Sequence, residues 1–167
     1  MTLLIVSDTH GRVDKLTRLF EMHKNVDALI FLGDGLADLN RAGAQEHSFT
    51  VFSVKGNCDA FSLLLNSRRI EEEITFSFDG IKFFALHGHT RHVKSSLINA
   101  IYAADEREAD VLLFGHTHIP TLTYISGEEY NLSRPMYVFN PGSLASNSYG
   151  LCEIRKGQVL LSHGTLD

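Results

Sequence analysis

Cysteine is scarce in this chain, positive charge is outweighed, and no apolar run is long. Cys58 and Cys152 are the only two cysteines among 167 residues. That excludes a disulfide framework and fits reduced thiols in a reducing compartment. Fifteen Lys and Arg stand against twenty Asp and Glu, a formal net charge of −5, so no extended nucleic-acid surface is expected. An anionic ligand would need a local positive source, and bound metal ions are the natural one. No apolar stretch approaches the roughly 20 residues that span a bilayer. The opening run Met1–Val6 lacks a basic flank and passes directly into Ser7-Asp8, so it reads as a strand and not a signal peptide. The expectation is a cytoplasmic protein with no membrane partner.

What is present suffices for a core. Hydrophobic residues make up 44% of the chain, and the length fits one domain over residues 1–167. Leu3–Val6, Ala28–Leu32 and Thr50–Val54 are short, mainly apolar runs that read as strands, the first two covered on both faces. A helical pattern between the first two puts Val13, Leu16, Leu19, Phe20 and His23 on one face. A less regular helical stretch runs to about Glu46, and Asp59 is placed to cap a short helix through Leu65. Ile74–Phe78 and Ile81–Leu86 flank Asp79-Gly80, a hairpin signal. A helix with Val93, Leu97, Ile98, Ile101 and Tyr102 on its apolar face is expected next. Strands follow at Val111–Phe114, Thr121–Ile125, Met136–Phe139, Tyr149–Ile154 and Gln158–Ser162. Strand–helix alternation predicts parallel pairing with outer helices. The later hairpins predict a second, largely antiparallel sheet packed against the first.

The strand ends carry the chemistry. Leu3–Val6 delivers Asp8 and His10, Ala28–Leu32 delivers Asp34, and the third strand delivers Asn57. Ile81–Leu86 delivers His87, and Val111–Phe114 delivers His116 and His118. Alone, Gly33-Asp34-Gly35 is an ordinary turn. Together, five strand ends each supply a nitrogen or oxygen donor, and neighbouring strands lie only about 4.8 Å apart. Seven donors exceed one tetrahedral site and suit two metals sharing a carboxylate. Two cations about 3.5–4 Å apart can hold the attacking and leaving oxygens of a phosphoryl displacement. Imidazole and oxygen donors without thiolate favour Mn, Fe, Zn, Co or Ni over Ca.

Asp8-x-His10, Gly33-Asp34, Gly56-Asn57-x-Asp59, His87-Gly88-His89 and Gly115-His116-x-His118 resemble the calcineurin-like metallophosphoesterase superfamily. The short chain and Asn140-Pro141-Gly142-Ser143 resemble its small bacterial and archaeal phosphodiesterase branch. The resemblance implies an α/β fold, a four-layer α/β/β/α sandwich of two mixed sheets flanked by helices. It also implies two divalent metal ions, most often Mn2+, with Fe, Zn, Co, Ni or Mg as other occupants. Asp8, His10 and His118 would hold the first metal, Asn57, His87 and His116 the second, and Asp34 both. A hydroxide between the metals would attack phosphorus. Many members carry His after the Gly-Asn to protonate the leaving group, where this chain has Cys58. Asp59 and His89 are the candidate catalytic replacements, and the missing His favours diesters with good leaving groups. The function implied is phosphodiester hydrolysis of a small phosphoester. A scaffold that keeps the fold, or a phosphomonoesterase, is the alternative. An apolar patch on the β-rich half would suit a homo-oligomer.

Overall fold

The computed structural model describes residues 1–59, 64–65 and 68–167. The chain runs β1 (Thr2–Val6), α1 (Val13–Met22), β2 (Ala28–Phe31), α2 (Leu36–Arg41), β3 (Thr50–Ser53), β4 (Leu64–Leu65) and β5 (Arg68–Arg69). It continues through β6 (Glu73–Phe78), β7 (Ile81–Leu86), α3 (Ile98–Glu106), β8 (Val111–Phe114), β9 (Thr121–Ile125), β10 (Met136–Asn140), β11 (Ser148–Arg155) and β12 (Gln158–Thr165). Short 3-10 turns lie at Ala44–Glu46, His89–Arg91 and Leu144–Ser146.

One five-stranded sheet has the order β12-β11-β1-β2-β3 and the other β6-β7-β8-β10-β9, and β4 pairs with β5 in a separate two-stranded piece. Both are mixed. β1, β2 and β3 run parallel, as do β7, β8 and β10, with antiparallel strands at the margins. This corrects the expectation of a largely antiparallel second sheet. The hairpin β11–β12 joins the first sheet instead, because β11 pairs antiparallel with β1, Thr2 facing Glu153.

Alternation along the strands explains the four layers. Leu4 and Val6 face α1 and α2, packing on Leu16, Leu19, Phe20 and Leu39. Leu3 and Ile5 face the other sheet, packing with Phe83, Ala85, Val111, Leu113 and Phe139. Phe84, Leu86, Leu112 and Phe114 turn outward onto Ile101 and Ala104 of α3. A strand covered on both faces must be apolar at every position, which is why β1, β2 and β8 read as continuous apolar runs.

Asp79 and Gly80, both left-handed, make the β6–β7 turn, as a two-residue hairpin of this hand requires. Two expectations fail locally. The helix after His89 begins only at Ile98, and Tyr102 is exposed while Ala100, Ile101, Ala103 and Ala104 face inward. His92, in the left-handed region, breaks the run in which Val93 and Leu97 mimic helical spacing. The expected helix from Asp59 does not reach Leu65, which pairs in β4 with β5; its middle, residues 60–63, lies outside the described residues. No helix among the described residues is long and apolar enough to cross a membrane.

Candidate metal centre

The donors follow the carboxyl ends of parallel strands from both sheets, so one edge of the sandwich gathers them. Asp8 N–H donates to the Gly33 carbonyl at 3.0 Å and Thr9 N–H to the Asp34 carbonyl at 3.1 Å, tying the β1 and β2 loops together. Among the described residues three clusters of potential ligand atoms result, each with its atoms within 4.8 Å of one another: Asp8, His10 and His118; His10, Asp34 and Cys58; and Asp34, His87 and His116.

Atoms held about 2.0–2.2 Å from one ion lie roughly 3.0–3.5 Å from each other. His118 Nε2 is 3.1 Å from Asp8 Oδ1, His10 Nε2 is 3.6 Å from that oxygen, and the two ring nitrogens are 3.3 Å apart. His87 Nε2 lies 3.4 Å from Asp34 Oδ2 and 3.2 Å from Asn57 Oδ1. The Asp8 carboxylate is wholly buried. Its Oδ2 accepts from Ser7 Oγ and the His116 amide, whereas Oδ1 has no hydrogen-bond partner. A buried carboxylate oxygen left without a donor costs free energy unless a cation faces it. These residues therefore fit a metal.

Backbone strain marks the same places. Asp8, His10, Asp34, His116 and His118 all have positive φ, between 45° and 65°. Such conformations cost about 1–3 kcal/mol each for non-glycine residues and cluster at functional sites. Gly56 is required by close approach: a Cβ there would lie 2.1 Å from Asp34 Oδ1.

Electrostatics divide the candidate ligands. Burial pushes the Asp34 carboxyl up, but hydrogen bonds from His87 and the Cys58 amide outweigh it and hold it well below the usual carboxylate range. Burial opposes charging of His87, yet Asp34 and Asp8 raise its pKa above the ordinary value. His116 is pushed down to about 4, by burial first and then by the charges of His87 and Lys94. It is thus a neutral imidazole at pH 7, the form that ligates. His87 Nδ1 donates to the Leu32 carbonyl at 2.7 Å, which turns Nε2 toward Asp34 and Asn57.

A sequence profile described as "Calcineurin-like phosphoesterase superfamily domain" matches residues 1–165. The chain belongs to this superfamily. It is similar to the probable metallophosphoesterase YsnB of Bacillus subtilis (strain 168), 32% identical over 145 residues, covering 86% of this chain and 75% of that one. It is also similar to phosphodiesterase YfcE of Escherichia coli (strain K12), 27% identical over 187 residues, covering 100% and 88%. Vacuolar protein sorting 29 of Cryptosporidium parvum shares the fold, with a TM-score of 0.72, 13% identity, and 99% and 97% coverage.

In this calcineurin-like phosphoesterase the structure gathers Asp8, His10, Asp34, Asn57, His87, His116 and His118 along one edge. Asp59 sits apart from the open face. Its Oδ2 accepts the amides of Asp34 and Gly56, and its Oδ1 those of Gly35 and Leu36, all at 2.9 Å. His89 lies beside the cluster, its ring centroid 5.5 Å from that of His87 and 6.2 Å from that of His116. Its Nδ1 is buried without a partner. Arg91 is bidentate to Glu73 and Arg12 pairs with Asp14, so both guanidinium groups already have carboxylate partners.

Sequence reasoning missed three supports. Ser7 holds Asp8. Asp38 accepts from Thr9 Oγ1 and the Gly11 amide, bracing the β1 loop. Asn140 donates to the Gly115 carbonyl and to Thr117 Oγ1, both at 3.0 Å, fixing the turn that carries His116 and His118. Each contact is long-range or reads locally as a surface polar residue; only the Asn140–Ser143 motif offered a signal, and it carried no role.

Proposed function

We propose that this chain is one domain acting as a dinuclear metal-dependent phosphodiesterase on a small phosphoester. The observation that carries the reading is the position of Asp34, whose carboxylate lies within 4.8 Å of a ring nitrogen of His10 on one side and of those of His87 and His116 on the other. Asp8, His10 and His118 would hold one metal, Asn57, His87 and His116 the second, and Asp34 would join them, with Mn2+ as the proposed occupant. Two divalent cations there would polarise the phosphoryl oxygens and make a water nucleophile available at neutral pH.

The chain's own groups do the rest. Asp8 and Asp34 offset the positive charge. The Leu32 carbonyl holds the His87 ring, and the pair Ser7 and His116 N–H holds the Asp8 carboxylate, so the donors need no rearrangement. His89, with pKa lowered by burial and then by His87, is neutral and suited to donate a ring N–H to a phosphoryl oxygen. We assign Asp59 to clamping the Asp34 and Gly56 loops, since all its acceptor capacity faces backbone amides. Proton delivery to the leaving group then falls to solvent, which favours diesters with good leaving groups. Exposed Leu122 and Tyr124 on β9 are the patch a homo-oligomer would cover, and a cytoplasmic location is part of this proposal.

The fold is shared with a vacuolar sorting protein and so decides nothing about catalysis; the ligand set supports an enzyme. Purified protein, with Mn2+ or a chelator, is assayed on bis(p-nitrophenyl) phosphate and p-nitrophenyl phosphate. Metal-dependent turnover of the diester in excess of the monoester is expected. Turnover of neither with metal bound would point to a scaffold, and faster monoester turnover to a phosphomonoesterase.

A further inference from the structure

We propose that the cleft between the turn after β7 and the loop after β8 is a subsite for one uncharged, apolar ester group of the phosphodiester. The inference rests on the phosphodiesterase reading above and names the class of substrate that the site would take. The cleft has a volume of about 340 Å3. That is at the small end for ligand pockets and suits a single ring or a short branched chain.

Two turns that carry candidate ligands also supply its lining. Thr117 stands between His116 and His118, and Ile119 follows directly. Val93, from the other turn, donates its amide to the Gly88 carbonyl at 3.2 Å, and Gly88 stands between His87 and His89. A Cβ on Gly88 would lie 2.6 Å from Val93 Cγ2, so the glycine lets Val93 pack onto that turn. The cleft is thus continuous with the metal centre.

Its chemistry is apolar with one charge. Val93, Leu97, Phe114 and Ile119 contribute hydrocarbon, and Ile119 is 64% exposed. The two threonines of the lining have committed hydroxyls. Thr117 Oγ1 accepts from Asn140 Nδ2 at 3.0 Å and from the Ile119 amide at 3.3 Å, and Thr121 Oγ1 donates to the Ile119 carbonyl at 3.1 Å. Lys94 supplies the charge. Among the described residues it enters no ion pair, unlike Arg12 and Arg91. Its field reaches the centre, where it follows burial and His87 in lowering the His116 pKa. An exposed cation without a carboxylate partner attracts the anionic phosphoryl group and rejects a cationic substituent.

The test measures phosphonates, which have no ester bond to cleave, binding to the Mn2+-loaded full chain by isothermal titration. Phenylphosphonate should bind at least about tenfold tighter than methylphosphonate, and 2-aminoethylphosphonate more weakly than ethylphosphonate. Ile119→Ser, a change at an exposed side chain, and Thr121→Phe, which fills the cleft, should each abolish most of the phenyl preference. Lys94→Ser should remove the penalty on the amino group and keep the phenyl preference. Equal affinity for the phenyl and methyl compounds, or a preference that survives both cleft substitutions, would overturn the subsite and leave the phosphodiesterase reading standing. An aminoethyl compound bound as tightly as the ethyl one would overturn the role of Lys94. A lower oligomeric state in Ile119→Ser with the phenyl preference intact would give the cleft to a second copy of the chain. Failure to bind Mn2+, or binding of no phosphonate with Mn2+ in place, would overturn both the subsite and the reading beneath it.

Discussion

At the scale of single residues, the proposed metal ligands are held at a cost that bound ions would offset. His118 is the clearest case, with φ of 61° and a side chain 43% exposed. His118→Gly removes a strained conformation and little packing. In chelator it should therefore raise stability by about 1 kcal/mol, roughly 2–4 °C in Tm, while metal binding falls. A thermal melt with and without metal checks both halves. The histidines also set opposite pH responses. His116 titrates at about 4 when folded against an ordinary 6.5, so the unfolded chain takes up its proton first. The stability of the metal-free protein should fall as pH drops through that window. His87 is raised; its contribution is present at acid pH and is lost as pH climbs through the raised value. A metal must displace that proton, so affinity at the His87 side should rise with pH until His87 is neutral, as isothermal titration across a buffer series would show.

At the scale of elements, the loops after β2 and β3 act as one piece because Asp59 gathers four amides from them. Asp59→Asn keeps the shape but gives up two good acceptor contacts. Metal affinity should fall about 10–100-fold, the range for removing a group that supports a ligand, with the acid limb of the rate profile unmoved. A shift of that limb would return Asp59 to proton transfer. The strand ends were legible from sequence because strands covered on both faces leave uninterrupted apolar runs that stop abruptly at polar donors. The segment from His89 to Leu97 was misread because Val93 and Leu97 sit at helical spacing, while left-handed His92 depends on local turns that periodicity does not report. Asp38 and Ser7 were invisible for a different reason: Asp38 gains its role only from contacts with Thr9 and Gly11 across the fold, and Ser7 looks like any polar residue beginning a loop.

At the scale of the whole molecule, three apolar clusters hold four layers, the middle one lying between the two sheets. Leu113 lies there, fully buried. Leu113→Ala should cost about 2–5 kcal/mol in a denaturant melt, with little change in metal affinity because the donors hang from the strand ends and not from the core between them. The placement of the final hairpin was not legible, since pairing of β1 with β11 joins residues at opposite ends of the chain and no local pattern announces it. That pairing extends to Met1, whose ammonium donates to the Ile154 carbonyl at 2.8 Å. β1 is thus flanked on one side by its near neighbour β2 and on the other by the sequence-distant β11. Asp8 and His10, which follow β1, therefore sit on a strand whose second flank is closed by a pairing of very high sequence separation, the kind of contact that loop-closure entropy makes slow to form.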